Sequence, residues 1–551
     1  MWYFFLQKKA LYAVKNLIAK KNIYTNHKRA KMTIVSKSKA QCKRQKQARK
    51  RQRKIKINKR QWMRTPLTLE QKRVKKEKKQ KAKENKKEKR KKKEKETETI
   101  IAKQIHEQLS SIFTSKTLDA LAKVTGFIKR KGGELLPYAY MYIMSYGFFG
   151  NGKISLVNLT SMLQANFNVK ITPQALSKKI NTKYSVLFLS KIFKKLLNIQ
   201  LGIKLKNKAS DLFSNFTAVN LQDSTQVSLH PSLANNFAGS GGRASKASLK
   251  LDCIFDIANI NIQRVRIVNG TVPDQKLAND IVKYVKESSL SINDLGYFEI
   301  ATKREIGEKK GFYISRLSIS TNVYLNKSAK CKLDIIEFLK KEIDKGEESI
   351  SCTVYIGAEE RLKARLIAQK VPKHVSKQRQ ERYKHENNKE PNKYYIEWCG
   401  YAIFITNIPS EMYSPMIIIA IYKIRWQIEL IFKNFKSNIE LDYLTGMNKY
   451  RIESLIYGRL ITITTIFIIQ NFAAHIAQKR EVSGDKLTKW LRLNEKLCLC
   501  ILNSSILQLL RLLKLEIVKV CKQQRKRKTT LEYIEALVND QENLQGNICV
   551  A

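Results

Sequence analysis

Three short stretches decide the fold: FTAVNLQDSTQVSL at residues 216–229, SLKLDCIFDI at 248–257 and NIQRVRIV at 261–268. They are rich in β-branched residues and are separated by polar breaks, a pattern that predicts three successive strands. DQKLANDIVKYVKE at 274–287 predicts a helix, and SINDLGYF at 291–298 predicts a further strand. The order of elements is therefore three strands, a helix and a further strand, which predicts an α/β fold.

The flanking sequence extends this α/β pattern in both directions. Residues 311–408 contain four more strand candidates, GFYISRLSI, SCTVYIGA, RLKARLIAQK and YAIFITNI, with a basic, polar loop near 371–393. From about Pro415 to the end, the apolar residues return to helical spacing. Residues 100–207 upstream show the same helical spacing.

One upstream stretch, residues 154–180, predicts two helices joined by a turn. Leu156–Phe167 forms the first helix, and Thr172 with Pro173 supplies an N-cap and a first-turn proline for the second. The second helix would expose Lys178 and Lys179, as a helix-turn-helix does towards a major groove. Ordinary packing of two short helices explains the pattern equally well.

The charge of the chain points to a polyanionic partner. The 551 residues include 106 Lys and Arg against 46 Asp and Glu, a formal net charge of +60. Such an excess favours binding to nucleic acid. Residues 37–97 form a low-complexity Lys/Arg/Gln/Glu run with almost nothing to bury, so we expect a disordered tail. It either binds DNA without specificity or serves only as a solvated tail.

Two other classes of protein are disfavoured. The nine cysteines are scattered and include no C-x-x-C pair, which argues against a disulfide framework or a zinc finger. Leu460–Gln478 approaches the length of a membrane span, but its Thr, Gln, Asn and His side chains would be costly in lipid. We expect a buried helix there and no membrane association.

The strongest chemical signal is YKIRWQIELIFKNFKS at residues 422–437. On a helix, Tyr422, Arg425, Glu429 and Lys436 fall within a stripe roughly 60° wide. Isoleucines and Phe435 occupy the opposite face. An exposed helix carrying salt bridges could show the same pattern.

This spacing of Tyr, Arg, Glu and Lys resembles the signature of the IS4-type transposases, a branch of the DDE recombinases. DSTQVSL at 223–229 and SINDLGYF at 291–298 are similar to the family's two aspartate regions, in the same order. The resemblance implies a bacterial insertion-sequence transposase with a ribonuclease-H-like catalytic core. A β-rich insertion would interrupt this core, with helical regions on both sides.

The resemblance also implies a site. Asp223, Asp294 and Glu429 would be the catalytic acids and would bind Mg²⁺ or Mn²⁺, in the form of two ions, because oxygen ligands suit these metals. Both aspartates are expected to end neighbouring strands. Tyr422, Arg425 and Lys436 would contact the transposon end, with no covalent role for the tyrosine. Trp398 is a candidate for stacking on a flipped base, although core packing explains it as well.

The function implied is cutting and joining of DNA at the element's ends by a hairpin route. Double-stranded DNA, both transposon ends and target, would be the partner of a homodimer in a synaptic complex, in the bacterial cytoplasm at the nucleoid. A catalytically decayed transposase that only binds DNA is the alternative. A basic ribosomal or chromatin protein would account for the tail but not for the three motifs.

The sequence predicts six regions. They are a basic tail (1–98), a helical DNA-binding region (99–207), the first part of the core (208–310), a β-rich insertion (311–408), the second part of the core with the catalytic helix (409–480), and a C-terminal helical region (481–551).

Overall fold

A computed structural model describes residues 69–129, 134–149, 155–202, 213–241, 245–343, 349–477, 480–494, 499–500, 505–523 and 530–548. The chain divides into two compact units, residues 1–95 and 96–551. In the first unit the described residues, 69–95, are helical throughout. The second unit contains a nine-stranded sheet and most of the helices.

Part of the basic tail is helical, which corrects the expectation of disorder for that part. Helix α1 spans Leu69–Phe113 and begins in the Lys/Glu/Gln run. These residue types have high helix propensity, and residues 69–97 contain no Gly or Pro, so a helix forms there without a core. Its apolar residues begin later, and Ile105, Leu109 and Phe113 are buried. Residues 1–68 of the predicted tail lie outside the described residues.

Five further helices precede the sheet among the residues that the structure describes, and they include the two predicted on either side of a turn. In chain order they are α2 (Ser115–Val124), α3 (Pro137–Tyr146), α4 (Leu156–Phe167), α5 (Pro173–Ile180) and α6 (Lys183–Gly202). Helix α4 ends at Asn168, whose φ of 53° is left-handed. Helix α5 begins where Thr172 Oγ1 accepts a hydrogen bond from Ala175 N. The two predicted helices and the turn between them are therefore present.

The predicted strands form one mixed sheet. The strands are β1 (Val219–Ser228), β2 (Ser248–Asp256), β3 (Asn261–Asn269), β4 (Leu290–Asn293), β5 (Phe312–Arg316), β6 (Val323–Tyr324), β7 (Ser349–Ile356), β8 (Leu362–Lys370) and β9 (Tyr401–Thr406). Their order in the sheet is β3-β2-β1-β4-β5-β9-β8-β7-β6. Strands β1, β2 and β3 are antiparallel, while β4 and β5 continue in parallel from β1. The first five strands have the ribonuclease-H-like order.

The residues between β5 and β9 extend this sheet. Strand β5, which the sequence groups with the β-rich insertion, pairs in parallel with β4. Strand β9 then pairs antiparallel with both β5 and β8, so β6–β9 continue the same sheet. Helix α7 (Ile300–Glu308) follows β4, and α8 (Ile335–Ile343) precedes β7. The segment Asp274–Tyr284, predicted as a helix, is 3₁₀-helical.

The basic segment near 371–393 is helical, which corrects the prediction of a loop. It contains α9 (Lys373–Asn387), followed by α10 (Lys393–Trp398). Helix α9 has no buried residue. Because all of its side chains reach solvent, it shows no apolar stripe from which a helix could be predicted.

The catalytic-signature segment consists of two helices and a connecting turn. Helix α11 (Pro415–Tyr422) leads through a 3₁₀ turn, Lys423–Arg425, into α12 (Trp426–Asn438). The turn interrupts the continuous helix that the sequence predicts. The apolar face predicted for this segment is buried, for example at Ile428 and Phe435.

Helix α13 (Lys449–Ala477) is the central helix of the core. It is long and apolar enough to cross a membrane, but 72% of its most apolar window is buried inside the protein. Thr464 and Thr465 donate their hydroxyls to carbonyls one turn earlier, which satisfies them within the core. This confirms a buried helix over residues 460–477.

The chain ends in four described helices. They are α14 (Gly484–Leu493), α15 (Ile506–Leu515), α16 (Ile517–Val520) and α17 (Thr530–Ile548). Helix α14 begins at Ser483, whose Oγ accepts from Lys486 N. Buried residues of α14 and α15, such as Trp490 and Leu509, join the same apolar core as α13.

Candidate active site

The three predicted acids come from three separate elements. Asp223 lies in β1, Asp294 follows β4, and Glu429 is in the first turn of α12. Strand β4 pairs with β1 only as far as Gln222 and Asn293, so both aspartates lie one residue beyond the end of this parallel pairing. On its other side β1 continues to Ser228 against β2. Asp223 therefore lies past the end of the β1–β4 pairing but within strand β1 and not at its end.

The guanidinium of Arg425 joins the three carboxylates. Its Nη2 lies 2.6 Å from Glu429 Oε1, its Nη1 lies 3.3 Å from Asp223 Oδ2, and its Nε lies 3.6 Å from Asp294 Oδ1. The Arg425 side chain is only 17% exposed, whereas Asp294 retains 43% exposure. The acids therefore converge on one cation that is partly withdrawn from solvent.

The electrostatics of this cluster favour a cation. The pKa of Asp223 is raised to about 7, chiefly by burial and also by the charges of Asp294 and Glu429, while Ser224 N–H and Arg425 oppose the rise. Burial disfavours the charge of Arg425, but the attraction of Asp294 and Glu429 outweighs it and raises the pKa of the guanidinium. Three carboxylates at one point thus need positive charge between them.

These acids line an open cleft of about 750 Å³. Lys436 lies on its wall, where Nζ donates to Gln226 O at 3.0 Å and is 3.6 Å from Asp442 Oδ1. Lys433 and Tyr443 also line the cleft. The cleft therefore presents carboxylates at its centre and ammonium groups beside them, an arrangement suited to a phosphodiester that approaches with its negative charge.

The donor set matches divalent ions that prefer oxygen. Asp223, Asp294 and Glu429 supply only carboxylate oxygens, which suit Mg²⁺ or Mn²⁺ rather than zinc. In the part of the chain that the structure describes, no three acidic, His or Cys side chains already stand at metal-binding spacing. Arg425 lies between the three carboxylates, so the fit requires that the guanidinium be displaced.

Comparison with known proteins agrees with this geometry. Residues 215–464, which include all three acids, match the family described as "Transposase DDE domain". The chain is 28% identical over 407 residues to the transposase for insertion sequence element IS231F of Bacillus thuringiensis subsp. israelensis, covering 69% of this chain and 83% of that protein. It is 27% identical over 400 residues to the transposase for IS1151 of Clostridium perfringens, covering 68% and 83%.

Residues 215–464 thus match a transposase DDE domain, and the chain is similar to insertion-sequence transposases over about two thirds of its length. This DDE domain implies an enzyme that acts on DNA, a ribonuclease-H-like fold and dependence on a divalent metal. The resemblance that the sequence motifs indicated is thereby confirmed.

Two of the remaining predicted site residues, Tyr422 and Trp398, are not among the residues that line the cleft. Tyr422 is 9% exposed and packs on Phe404, with ring centroids 4.9 Å apart. Burial, followed by the charge of Asp294, raises the pKa of its hydroxyl. Trp398 is half-buried against the apolar cluster of β6–β9 and does not line the cleft.

The two lysines of α5 also differ from each other. Lys178 is exposed. Lys179 donates its ammonium to Phe127 O and lies 4.4 Å from the centroid of that ring. Its charge is therefore engaged in packing α5 against the residues after α2, which leaves Lys178 as the accessible cation of the pair.

Sequence reasoning missed several residues that shape the cleft. Lys433 appears in the sequence only as a helical neighbour of Glu429, and Asp442 and Tyr443 follow α12 in a turn without periodicity. Buried Arg459, on α13, holds this turn because its Nε donates to Ile439 O and Glu440 O at 3.1 Å. Helical spacing could have indicated Lys433, but no local pattern indicates the turn.

The C-terminal helix supports the catalytic segment from the other end. Gln541 of α17 accepts from Ser414 N at 2.9 Å and donates to Met412 O at 3.2 Å, at the start of α11. Lys423, in the 3₁₀ turn before α12, lies 5.5 Å from the Tyr533 ring centroid of α17. The position of Arg425 thus depends on residues more than 100 positions away in the chain.

Proposed function

We propose that this transposase hydrolyses and rejoins DNA phosphodiesters at the ends of its own insertion sequence, with Asp223, Asp294 and Glu429 as the catalytic acids. The observation that supports this most directly is the convergence of the three carboxylates on Arg425 in an open cleft. Acids from three elements do not meet around one half-buried cation in an ordinary exposed salt-bridged helix. Their meeting favours the catalytic interpretation.

Asp223, Asp294 and Glu429 would hold one or two Mg²⁺ or Mn²⁺ ions. When bound, such ions activate an attacking oxygen and stabilise the leaving oxygen in phosphodiester chemistry. Before that, Arg425 supplies the positive charge that keeps the three carboxylates together.

Arg425 would then exchange its partners when DNA enters. A guanidinium forks onto phosphate oxygens as well as onto carboxylates, and it can bind both in turn. We propose that the phosphate at the transposon end draws Arg425 away from the acids. Lys436 and Lys433 would contact neighbouring phosphates from the cleft wall.

The reaction proposed follows the hairpin route. Water attacks the phosphorus at the element's end, and the bond to the 3′-oxygen breaks, so that the oxygen leaves as a 3′-hydroxyl. This hydroxyl attacks the opposite strand and forms a hairpin, which a second water reopens before strand transfer into target DNA. Each step exchanges one phosphorus–oxygen bond for another, and Tyr422, buried against Phe404, takes no covalent part.

Recognition of the ends would reside in the helical region before the core. Helices α4 and α5 have the geometry of a helix-turn-helix, with Lys178 exposed on the second helix. The excess of basic residues would add affinity for any DNA. Because cut-and-paste joining needs two ends together, we propose a homodimer in a synaptic complex, at the nucleoid in the bacterial cytoplasm. We also propose that β6–β9 are an insertion in the core.

A cleavage assay on duplex DNA that carries the element's terminal repeats tests this function. Wild-type protein with Mg²⁺ should nick at the repeat boundary. Asp223→Asn, Asp294→Asn and Glu429→Gln should each lower the rate by at least about a hundredfold, in keeping with the loss of a catalytic group, while DNA binding remains. Asp442→Asn is the matched control, since its carboxylate lines the same cleft but pairs with Lys436. Binding of the repeats without any cleavage by the wild type would favour the decayed alternative.

A further inference from the structure

A buried amide pair connects the two strands that carry the aspartates. Gln222 and Asn293 are opposite each other at the last register of the β1–β4 pairing, and each immediately precedes a catalytic aspartate. Asn293 Nδ2 donates to Gln222 Oε1 at 3.0 Å. Gln222 is fully buried, and Asn293 is 7% exposed. Because side chains alternate along a strand, this bond lies behind the acids, on the opposite face of the sheet.

The same glutamine binds a buried carboxylate. Gln222 Nε2 donates to Leu277 O at 2.8 Å and to Asp252 Oδ1 at 3.3 Å. Tyr297, three residues after Asp294, donates its hydroxyl to the same Asp252 oxygen at 2.8 Å. Asp252 thus accepts one hydrogen bond from Gln222, the residue before Asp223, and another from Tyr297, in the turn that begins at Asp294.

Arg264 completes the network behind the acids. Its Nη1 lies 3.2 Å from Asp252 Oδ2, and its Nη2 lies 2.8 Å from Asp280. A buried carboxylate without donors would be costly, and here it has an amide, a phenol and a guanidinium. Arg264 Nη1 contacts Asp252 as an ion pair and makes no hydrogen bond in the structure, but both oxygens of the carboxylate have polar partners, which should hold Gln222 and Tyr297 in place.

The backbone alone does not fix the distance between the two aspartates. Strand β4 has only four residues, and its pairing with β1 stops one residue before the acids. Beyond that point, like charges on Asp223 and Asp294 push the two chain segments apart. A side-chain bond at the last paired register opposes this separation.

We propose that Gln222 is a positioning residue that acts with Asn293, Asp252 and Tyr297 to set the separation of Asp223 and Asp294 for metal binding. This inference rests on the proposed function. Residues that orient metal ligands commonly change metal affinity when they are replaced, even though they do not touch the ion.

The test compares two buried amides on the same strand and the same face. Gln222→Leu removes the connecting side chain, whereas Asn220→Leu removes an amide two residues earlier that is also fully buried. Mn²⁺ binding is measured by electron paramagnetic resonance on protein bound to a terminal-repeat duplex, together with the Mg²⁺ dependence of cleavage. Thermal unfolding of each variant reports any general loss of stability.

Gln222→Leu should weaken Mn²⁺ binding by about tenfold or more and raise the Mg²⁺ concentration for half-maximal cleavage similarly, in the range seen for residues that support metal ligands. Tyr297→Phe should change the Mn²⁺ affinity and the Mg²⁺ requirement in the same direction as Gln222→Leu, but by a smaller factor. Asn220→Leu should leave both at the wild-type values even if it lowers the melting temperature.

Wild-type Mn²⁺ binding in Gln222→Leu, or an equal shift in Asn220→Leu, would overturn the positioning role. The proposed function is tested separately: the wild type should bind Mn²⁺, and Asp223→Asn should abolish that binding. It fails if either result is not obtained. In that case both proposals are rejected.

Discussion

At the scale of single residues, Arg425 couples DNA binding to metal binding. Its guanidinium lies between the three carboxylates, so divalent ions and Arg425 compete for the same oxygens. Without DNA, Arg425→Ala should therefore bind Mn²⁺ roughly tenfold more tightly than the wild type, a typical size for coupling between sites. Calorimetric titration measures this affinity.

Lys436→Ala is the control for general charge removal. Lys436 lines the same cleft but contacts Gln226 O and Asp442 rather than the acids. Adding a terminal-repeat duplex should strengthen Mn²⁺ binding in the wild type more than in Arg425→Ala. Equal Mn²⁺ affinity in the wild type and Arg425→Ala without DNA would show that the guanidinium does not compete.

A second prediction at this scale concerns Tyr422. Its hydroxyl is buried, and burial raises its pKa, so a phenolate nucleophile is unfavourable. Tyr422→Phe should retain end cleavage within a few-fold of the wild type. Denaturing gels of the reaction should contain no protein–DNA adduct, and a phosphotyrosine linkage at this position would place the enzyme in another recombinase class.

At the scale of elements, the buried lysine of α7 makes stability depend on pH. Burial lowers the pKa of Lys303 to about 7, although Glu299 opposes the shift. Between pH 7 and the unfolded value of 10.5, the unfolded chain binds more protons, so this group's contribution to stability rises with pH. Below pH 7 the charge is present in both states, and the full cost of burying it remains.

Lys303→Met should therefore raise the free energy of unfolding most below pH 7. The gain should shrink as the pH rises towards 10.5. Denaturant titrations at several pH values measure it, and Arg304→Met, at an exposed position on the same helix, is the control. A gain from Lys303→Met that is constant with pH would mean that the lysine is not titrating in the folded state.

Helix α5 carries the next prediction at this scale. If it enters the major groove, Lys178→Ala should reduce binding to the terminal repeats more than binding to random duplex, because base contacts carry the discrimination. Lys191→Ala, at an exposed lysine on α6, should lower the affinity for both duplexes equally or leave both affinities unchanged. Competition binding measures the ratio of the affinities for the terminal repeats and for random duplex. If Lys178→Ala leaves this ratio unchanged, the helix does not read base sequence in the groove.

The elements also show where sequence patterns are sufficient. Capping and periodicity predicted both bounds of α4 and the start of α5, because Thr172 and Pro173 act locally. Helix α9 was predicted as a loop because its exposed residues have no apolar stripe. Local chemistry therefore predicts elements with a buried face better than fully exposed ones.

At the scale of the whole molecule, the sequence predicted the three acids but not what lies between them. The motifs bring Asp223, Asp294 and Glu429 together because the strand order does so. The placement of Arg425 depends on the 3₁₀ turn and on Gln541, and the turn after α12 depends on Arg459; Gln541 and Arg459 are distant in sequence from the segments that they hold. Such contacts arise from tertiary packing, so periodicity does not reveal them.

The final prediction, also for the whole molecule, concerns removal of residues 1–95, which form a separate compact unit. The cut leaves Glu98 with its Lys514 partner and keeps the buried side chains of Ile105, Leu109 and Phe113, so the remaining unit should fold. Glu96 and Glu98 would then lie near a helix N-terminus, where negative charge is favourable. Each lost phosphate contact should flatten the slope of log K against log salt by roughly 0.9.

Binding should weaken about equally on terminal repeats and on random duplex, and end cleavage should persist at low salt, since the acids and the α4–α5 pair remain. Fluorescence anisotropy between low and physiological salt measures the slope for both duplexes. A reversal of two tail lysines to glutamate, Lys86→Glu with Lys87→Glu, should flatten the slope in part and is the control for the deletion itself. If the deletion instead removed discrimination between the two duplexes, recognition would lie in the tail and not in residues 156–180.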